Sequence, residues 1–508
     1  MAVNQVKAGA ALNYVIIGLN ALTGLLYTPF MLRCLGQNEY GLYSLVASVI
    51  AYLTLLDFGF GSAITRFAAK IRATGTKQDE WRLYGMFMTA YCVIGILITI
   101  AGFILYSNTD RMFDRTMTPQ ELHQARIMMA LMVGNLALTF PFSIFGSIIN
   151  SYERFIFTKI ISIVRIILST LVLVCVLLAG YKAIGLIIVQ TFFSLSVLVA
   201  NAVYCFKRLK IKIEFNNYNY SLLKEISIYS FWNFLGAIIE RIYWGTGQFV
   251  LGIYNSTIAV AIFSLGITLM NIYMSMSSSL NSVLLPRLTK LTTQKGTEEE
   301  ISNIFIRTGR LQFSILSLIL SGFAIFGKPF ILLWGGSGYH DTYYVTLIFF
   351  IALLCPLIQN VGLSILWARG QQKFRTLVFL AIAAISLIAQ ILISKTYGPI
   401  GCAMVVGCSL FAGQWIVMNI YYYKRQHLNI PKFWKEIGKM TIVPLGMILI
   451  WSQIVGFLTL DTWIRLSIII SIFMILYVWL YYKFSMNSYE RNLIISPIHS
   501  VIRRFFQK

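Results

Sequence analysis

Fourteen apolar runs recur along this 508-residue chain, each long enough to cross a hydrocarbon core as a helix, and they leave little room for another architecture. They fall at about 11–32, 42–64, 83–106, 126–149, 160–180, 183–205, 227–252, 258–285, 311–334, 343–366, 376–396, 401–423, 440–460 and 463–483. Their length selects helix over strand, because a membrane strand needs only about ten residues and alternates in polarity. Composition agrees: 58% of residues are hydrophobic and 12% charged, with mean hydropathy +0.75. The opening MAVNQVKAGA has one lysine and no small-residue cleavage pattern, so it reads as a first spanning helix rather than a removable signal.

Charge placement orients such a chain. With the N-terminus inside, the inner segments carry 31 Lys and Arg and the outer segments eight, with Arg165 and Arg241 left inside helices. That asymmetry is the positive-inside pattern and predicts that both termini are cytoplasmic, in a plasma (inner) membrane. It also accounts for nearly all of the net charge of +23, so nucleic-acid binding is not implied. No connection is long enough to form a separate domain. Past Asn487, Ile494, Ile498, Val501, Ile502, Phe505 and Phe506 recur at helical spacing beside Arg503 and Arg504, which predicts an amphipathic cytoplasmic tail on the inner surface.

The chain repeats itself at an offset of about 220 residues. The stretch from Leu42 aligns with that from Ile262, so that Tyr43-Ser44-Leu45 falls on Phe263-Ser264-Leu265 and Arg66 near Arg287. Ile184-Gly185 matches Ile400-Gly401, and Phe206-Lys207-Arg208 matches Tyr423-Lys424-Arg425. Two similar polytopic halves are the mark of a transporter whose path lies between them. The expected division is 1–210 for spans 1–6, 211–425 for spans 7–12, 426–486 for a C-terminal helix pair, and 487–508 for the tail.

Catalysis finds little support. His123, His340, His427 and His499 show no metal-ligand spacing, and the seven cysteines, an odd number without a CxxC, read as packing residues. No phosphate-cradling glycine loop is present, so no cofactor or resident metal is expected. Energy would come from a gradient, with H+ or Na+ as the possible coupling ion.

Polar groups inside the spans carry more information, since a charge at mid-bilayer costs a few kcal/mol and faces a partner or a cavity. Asp57, Arg165, Glu240 and Arg241 are the four. Glu240 and Arg241 point about 100° apart on one helix and cannot pair face to face. Asp57 and Arg66 would lie roughly 13 Å apart along one helix and on opposite faces. Interhelical ion pairs and the lining of a hydrated path both remain open for them. On the eighth span Asn271, Ser275, Ser278 and Ser282 form one stripe, which suits either close helix packing or hydrogen bonding to sugars. Pro29, Pro141, Pro356, Gly59 and Gly61 should bend their spans.

Residues 32–67, LRCLGQNEYGLYSLVASVIAYLTLLDFGFGSAITRF, resemble the N-terminal signature of bacterial polysaccharide biosynthesis flippases. These are the Wzx-type oligosaccharide-lipid transporters of the multidrug/oligosaccharidyl-lipid/polysaccharide (MOP) exporter superfamily. Leu35-Gly36, Glu39-Tyr40-Gly41-Leu42-Tyr43, Asp57-Phe58-Gly59 and Arg66 carry the likeness. It implies an all-α polytopic membrane protein of about 14 helices, with two six-helix lobes related by a pseudo-twofold along the membrane normal. It implies as substrate a polyprenyl-pyrophosphate-linked oligosaccharide, moved to the outer leaflet by alternating access for O-antigen and lipopolysaccharide, capsule or exopolysaccharide. Membrane lipids and polysaccharide polymerase or assembly machinery would be the partners. Arg66, Arg165 and Arg241 are the candidates for the pyrophosphate, and Asp57 and Glu240 for coupling or gating. A flippase for a peptidoglycan or teichoic-type precursor, and a drug/cation antiporter of the same superfamily, are the rival readings.

Overall fold

The computed structural model of the protein describes residues 5–215, 220–293, 297–369 and 371–492, and no strand occurs among them. The helices are α1 (Gln5–Leu53), α2 (Phe60–Thr74), α3 (Lys77–Phe113), α4 (Pro119–Ser151), α5 (Phe155–Leu178), α6 (Ala183–Tyr204), α7 (Tyr220–Tyr254) and α8 (Thr257–Thr293). They continue with α9 (Glu298–Trp334), α10 (Thr342–Ile358), α11 (Asn360–Ala368), α12 (Gln372–Leu410), α13 (Asn419–Lys424), α14 (Ile430–Gly456) and α15 (Trp463–Phe484). The amphipathic tail expected past 493 lies outside the described residues.

Eleven helical runs among the described residues are long and apolar enough to cross a membrane, and twelve if α10 and α11, bent by 47°, form one broken span. Two of those runs, residues 8–74 and 373–424, pass through Gly36 and Gly398, whose backbones are not helical (φ 76° and φ 52°). Only glycine takes such angles without strain, so each run is two spans joined at a corner, and the spans among the described residues number fourteen. The bend at α10–α11 follows Pro356, which cannot donate to the turn before it. Large apolar side chains such as Leu26, Phe103, Leu178, Ile385, Leu449 and Ile475 are exposed, as lipid-facing positions must be.

Helix starts are set by short polar motifs. Thr76 with Asp79, Thr118 with Glu121, and Thr297 with Glu300 form reciprocal capping boxes that begin α3, α4 and α9. The repeat reappears in local geometry. Gly180 (φ 85°) and Gly398 precede Gly185 and Gly401, where an added Cβ would lie 2.8 Å from Tyr181 Cβ and 2.5 Å from Tyr397 Cβ. The two halves turn their corners with the same residue pair, a glycine four places after a tyrosine. The first following helix ends in a widened π-helical stretch, Cys205–Leu209, and the second carries one, Phe411–Met418, before it continues as α13.

Two compact units divide the chain. Unit 1 is Met1–Leu265 with Ala383–Cys402, and unit 2 is Gly266–Ile382 with Ala403–Lys508. Phe67, Tyr84, Tyr91, Phe113, Met128 and Ile144 fill the core of the first; Phe305, Leu316, Trp334, Phe349 and Phe433 fill that of the second.

Candidate functional site

The second span is broken where one continuous helix was expected from 42 to 64. Thr54–Asp57 is a 3-10 turn, and Phe58 (φ 49°) and Gly59 (φ 71°) are both left-handed before α2 starts. A left-handed phenylalanine is uncommon and is held here by its ring, 4.8 Å from that of Phe234. The bend expected at Gly59 is therefore a full break, and the helical spacing that set Asp57 about 13 Å from Arg66 does not apply. At the break Asp57 Oδ1 accepts the Tyr91 hydroxyl at 2.9 Å.

From this break, α2 runs antiparallel to α7 in a regular polar seam. Asn233 Nδ2 donates to Ser62 Oγ at 3.2 Å, the Arg66 guanidinium stacks 4.8 Å from the Tyr229 ring, and Lys70 Nζ lies 3.2 Å from Glu225 Oε1. Each step of four forward on α2 is a step of four back on α7, the register expected when i, i+4 rows face one another. Before the break the seam continues: Arg241 Nη2 donates to Thr54 Oγ1 at 3.3 Å, and the Tyr52 and Thr246 hydroxyls are 2.7 Å apart. Every one of these residues belongs to unit 1.

The sequence-derived candidates sort against this seam. Asp57, Arg66 and Arg241 lie on it. Glu240 sits beside Arg241 with an exposed side chain; its charge reaches Arg241 through space, and no ion pair forms on it among the described residues. Arg165 is exposed on α5, and no hydrogen bond or ion pair among the described residues ties it to the seam. On α8, in unit 2, Asn271 is exposed, while the Ser275 hydroxyl returns to its own helix at Ile272 O (2.7 Å). The side chains of Ser278 and Ser282 lie outside those described.

Reading residues singly missed Tyr52, Tyr91, Glu225, Tyr229, Asn233 and Lys70. The signal was there: Glu225, Tyr229 and Asn233 repeat every four residues, as do Ser62, Arg66 and Lys70. A buried cluster in unit 2 was also missed. Arg310 places Nε 2.6 Å from Glu490 Oε1, Nη2 2.9 Å from Glu490 Oε2 and Nη1 2.9 Å from Glu436 Oε2, and donates to Ser485 O at 3.1 Å. Only 4% of the Arg310 side chain is exposed, so this fork is saturated and closed to solvent. A third group, in unit 1, centres on buried Glu80, which accepts the hydroxyls of Tyr84 and Tyr152. Burial, and then the charge of Glu80, hold the Tyr152 phenol above its usual range, which keeps the donor protonated.

The signature at 32–67 now has a physical reading. Glu39 accepts the Ala183 N–H at 3.2 Å and the Gln124 side chain at 3.3 Å, and pairs with Lys182 at 3.3 Å, so it ties α1 to α4 and to the start of α6. Gly41 passes so close to the Thr257 carbonyl that any Cβ would collide with it. Among the described residues no group of three or more His, Cys, Asp or Glu could hold a metal ion, and all seven cysteines are free.

Solved structures of membrane transporters match this all-helical fold. A lipid II flippase, MurJ, in an inward closed conformation superposes with a TM-score of 0.69 at 14% identity, over 94% of this chain and 98% of that one. A Vibrio cholerae MATE transporter, a mutant of VcmN, gives 0.58 at 14% identity, over 84% of this chain and 98% of that one. Among curated proteins, the membrane protein EpsK of Bacillus subtilis is 22% identical over 379 residues, 72% of each chain. The polysaccharide biosynthesis protein model matches residues 6–292. The chain belongs to the polysaccharide biosynthesis protein family.

Proposed function

We propose that the protein is a flippase that carries a polyprenyl-pyrophosphate-linked oligosaccharide from the cytoplasmic to the outer leaflet by alternating access. The observation that carries this reading is the α2–α7 seam, where hydroxyl, amide and basic groups line up inside a membrane helix pair. With no acid paired to it among the described residues, Arg66 is placed to meet an anion, and Arg241 makes a weak neutral contact at Thr54. A sugar head group cannot cross hydrocarbon without such replacements for water, whereas the isoprenoid tail can stay in the bilayer. Membership of the polysaccharide biosynthesis family supports a sugar-polymer precursor. On this reading both termini are cytoplasmic, Asp57 and Glu240 serve coupling or gating, and Asn271 and Ser275 meet sugar. Arg165 stands apart from the seam and is the third candidate for meeting the pyrophosphate.

The likeness to MurJ, by name a lipid II flippase, favours as second reading a related lipid-linked wall precursor. A deletion strain separates the two. Loss of a surface polysaccharide, with its lipid-linked repeat unit trapped at the cytoplasmic leaflet, is the expected outcome. A normal polysaccharide with trapped wall precursor would favour the second reading.

A further inference from the structure

The last rung of the seam pairs Lys70 with Glu225, one helical turn beyond Arg66 on its Tyr229 rung. Lys70 follows Arg66 by four residues, so both project from one face of α2, about 6 Å apart along the axis. Lys70 Nζ sits 3.2 and 3.3 Å from the two oxygens of Glu225, and both side chains are about half exposed, at 56% and 51%. Arg66 has the Tyr229 ring beneath it and no carboxylate in ion-pair range among the described residues. Glu225 thus holds one of the two cations through a solvated contact, which is a weak one.

We propose that Arg66 and Lys70 together form the docking site for the diphosphate of an isoprenoid-linked substrate, and that Glu225 occupies Lys70 until the diphosphate displaces it. This rests on the flippase reading above. A diphosphate presents two adjoining anionic groups, which suits two cations one helical turn apart, and it can take both at once. Depth agrees. Lys70 is five residues from Gly75, where α2 ends, and on the orientation proposed above that end lies at the inner interface. A carrier lipid with its tail in hydrocarbon holds its phosphates at that same level. Glu225 then acts as a selectivity filter: a monoanionic head group gains too little from one cation to dislodge it, whereas a diphosphate replaces one weak contact with two.

Binding of farnesyl diphosphate to the full-length protein in phosphatidylcholine nanodiscs tests the site. Lys70→Gln and Arg66→Gln should each weaken binding about tenfold, the cost of one charge-assisted contact. Glu225→Gln should tighten it about threefold, because a competitor for Lys70 is gone. Weaker or unchanged binding by Glu225→Gln would overturn the displacement. Wild-type affinity in Lys70→Gln and Arg66→Gln, with loss in Arg241→Gln, would overturn the site while leaving the flippase reading intact. Absence of farnesyl diphosphate binding to the wild type would count against both. Competition by phosphatidylglycerol at equal mole fraction would assign the site to bulk anionic headgroups and overturn the proposal.

Discussion

Arg66 in unit 1 and Arg310 in unit 2 are the same residue in opposite situations. Arg310 has every donor direction filled by two carboxylates and two carbonyls and is almost wholly buried, so it joins α9, α14 and the turn after α15 into one piece. Arg66 is exposed, rests on an aromatic ring, and keeps its hydrogen-bonding edge unsatisfied by any acid among the described residues. A saturated guanidinium has nothing left to offer a ligand; an unsaturated one held in place by stacking is ready for an anion. On the proposed reading, partner count then separates a charge that builds from a charge that acts.

The largest effect should follow from breaking the saturated side. Arg310→Met strands buried Glu490, while Glu436 keeps Lys439 at 2.7 Å, and should cost about 3–5 kcal/mol, read as a large fall in thermal midpoint and in folded yield. Adding Glu490→Gln should restore part of it. If the single variant melts like wild type, the contrast between the two arginines disappears.

Substitution on the open side should separate activity from stability. Arg66→Ala is expected to reduce transport about tenfold or more while the thermal midpoint stays near wild type, since it strands no partner. Lys77→Ala, at the exposed start of α3, is the matched control and should transport normally. Equal loss of folded protein and activity in Arg66→Ala would make it a packing residue after all.

Smaller still is the expected effect of Glu240→Gln on the fold. With no ion pair among the described residues and an exposed side chain, its removal should leave stability within about 0.5 kcal/mol. The coupling role proposed for it predicts a changed dependence of transport on the imposed proton or sodium gradient. An unaltered gradient dependence would remove Glu240 from the list of coupling groups.

The helical membrane fold was legible because its signal is redundant: a span of about twenty apolar residues has no other stable state in lipid. Its corners were partly legible. Pro356 marked the α10–α11 bend, but the left-handed pair Phe58–Gly59 was read as a bend rather than a break, since only tertiary contact with Phe234 holds Phe58 there. Site legibility followed charge. Asp57 and Arg241 stood out as ions in apolar runs and Arg66 as the basic end of the 32–67 motif, whereas Asn233, Tyr229 and Tyr91 look ordinary until a partner helix faces them. Arg310 was counted as a loop cation, because its burial depends on α14 and Glu490, 126 and 180 residues away.

Flipping by the purified protein tests the central claim most directly. Lipid-linked oligosaccharide extracted from the deletion strain would be reconstituted with the protein into proteoliposomes, and its head group scored by access to an impermeant glycosidase added outside. Accessibility should rise from the outer-leaflet half toward completion with wild type, and should rise markedly more slowly with Arg66→Ala. Head groups that remain half protected with wild type, under every proton or sodium gradient applied, would contradict the assignment.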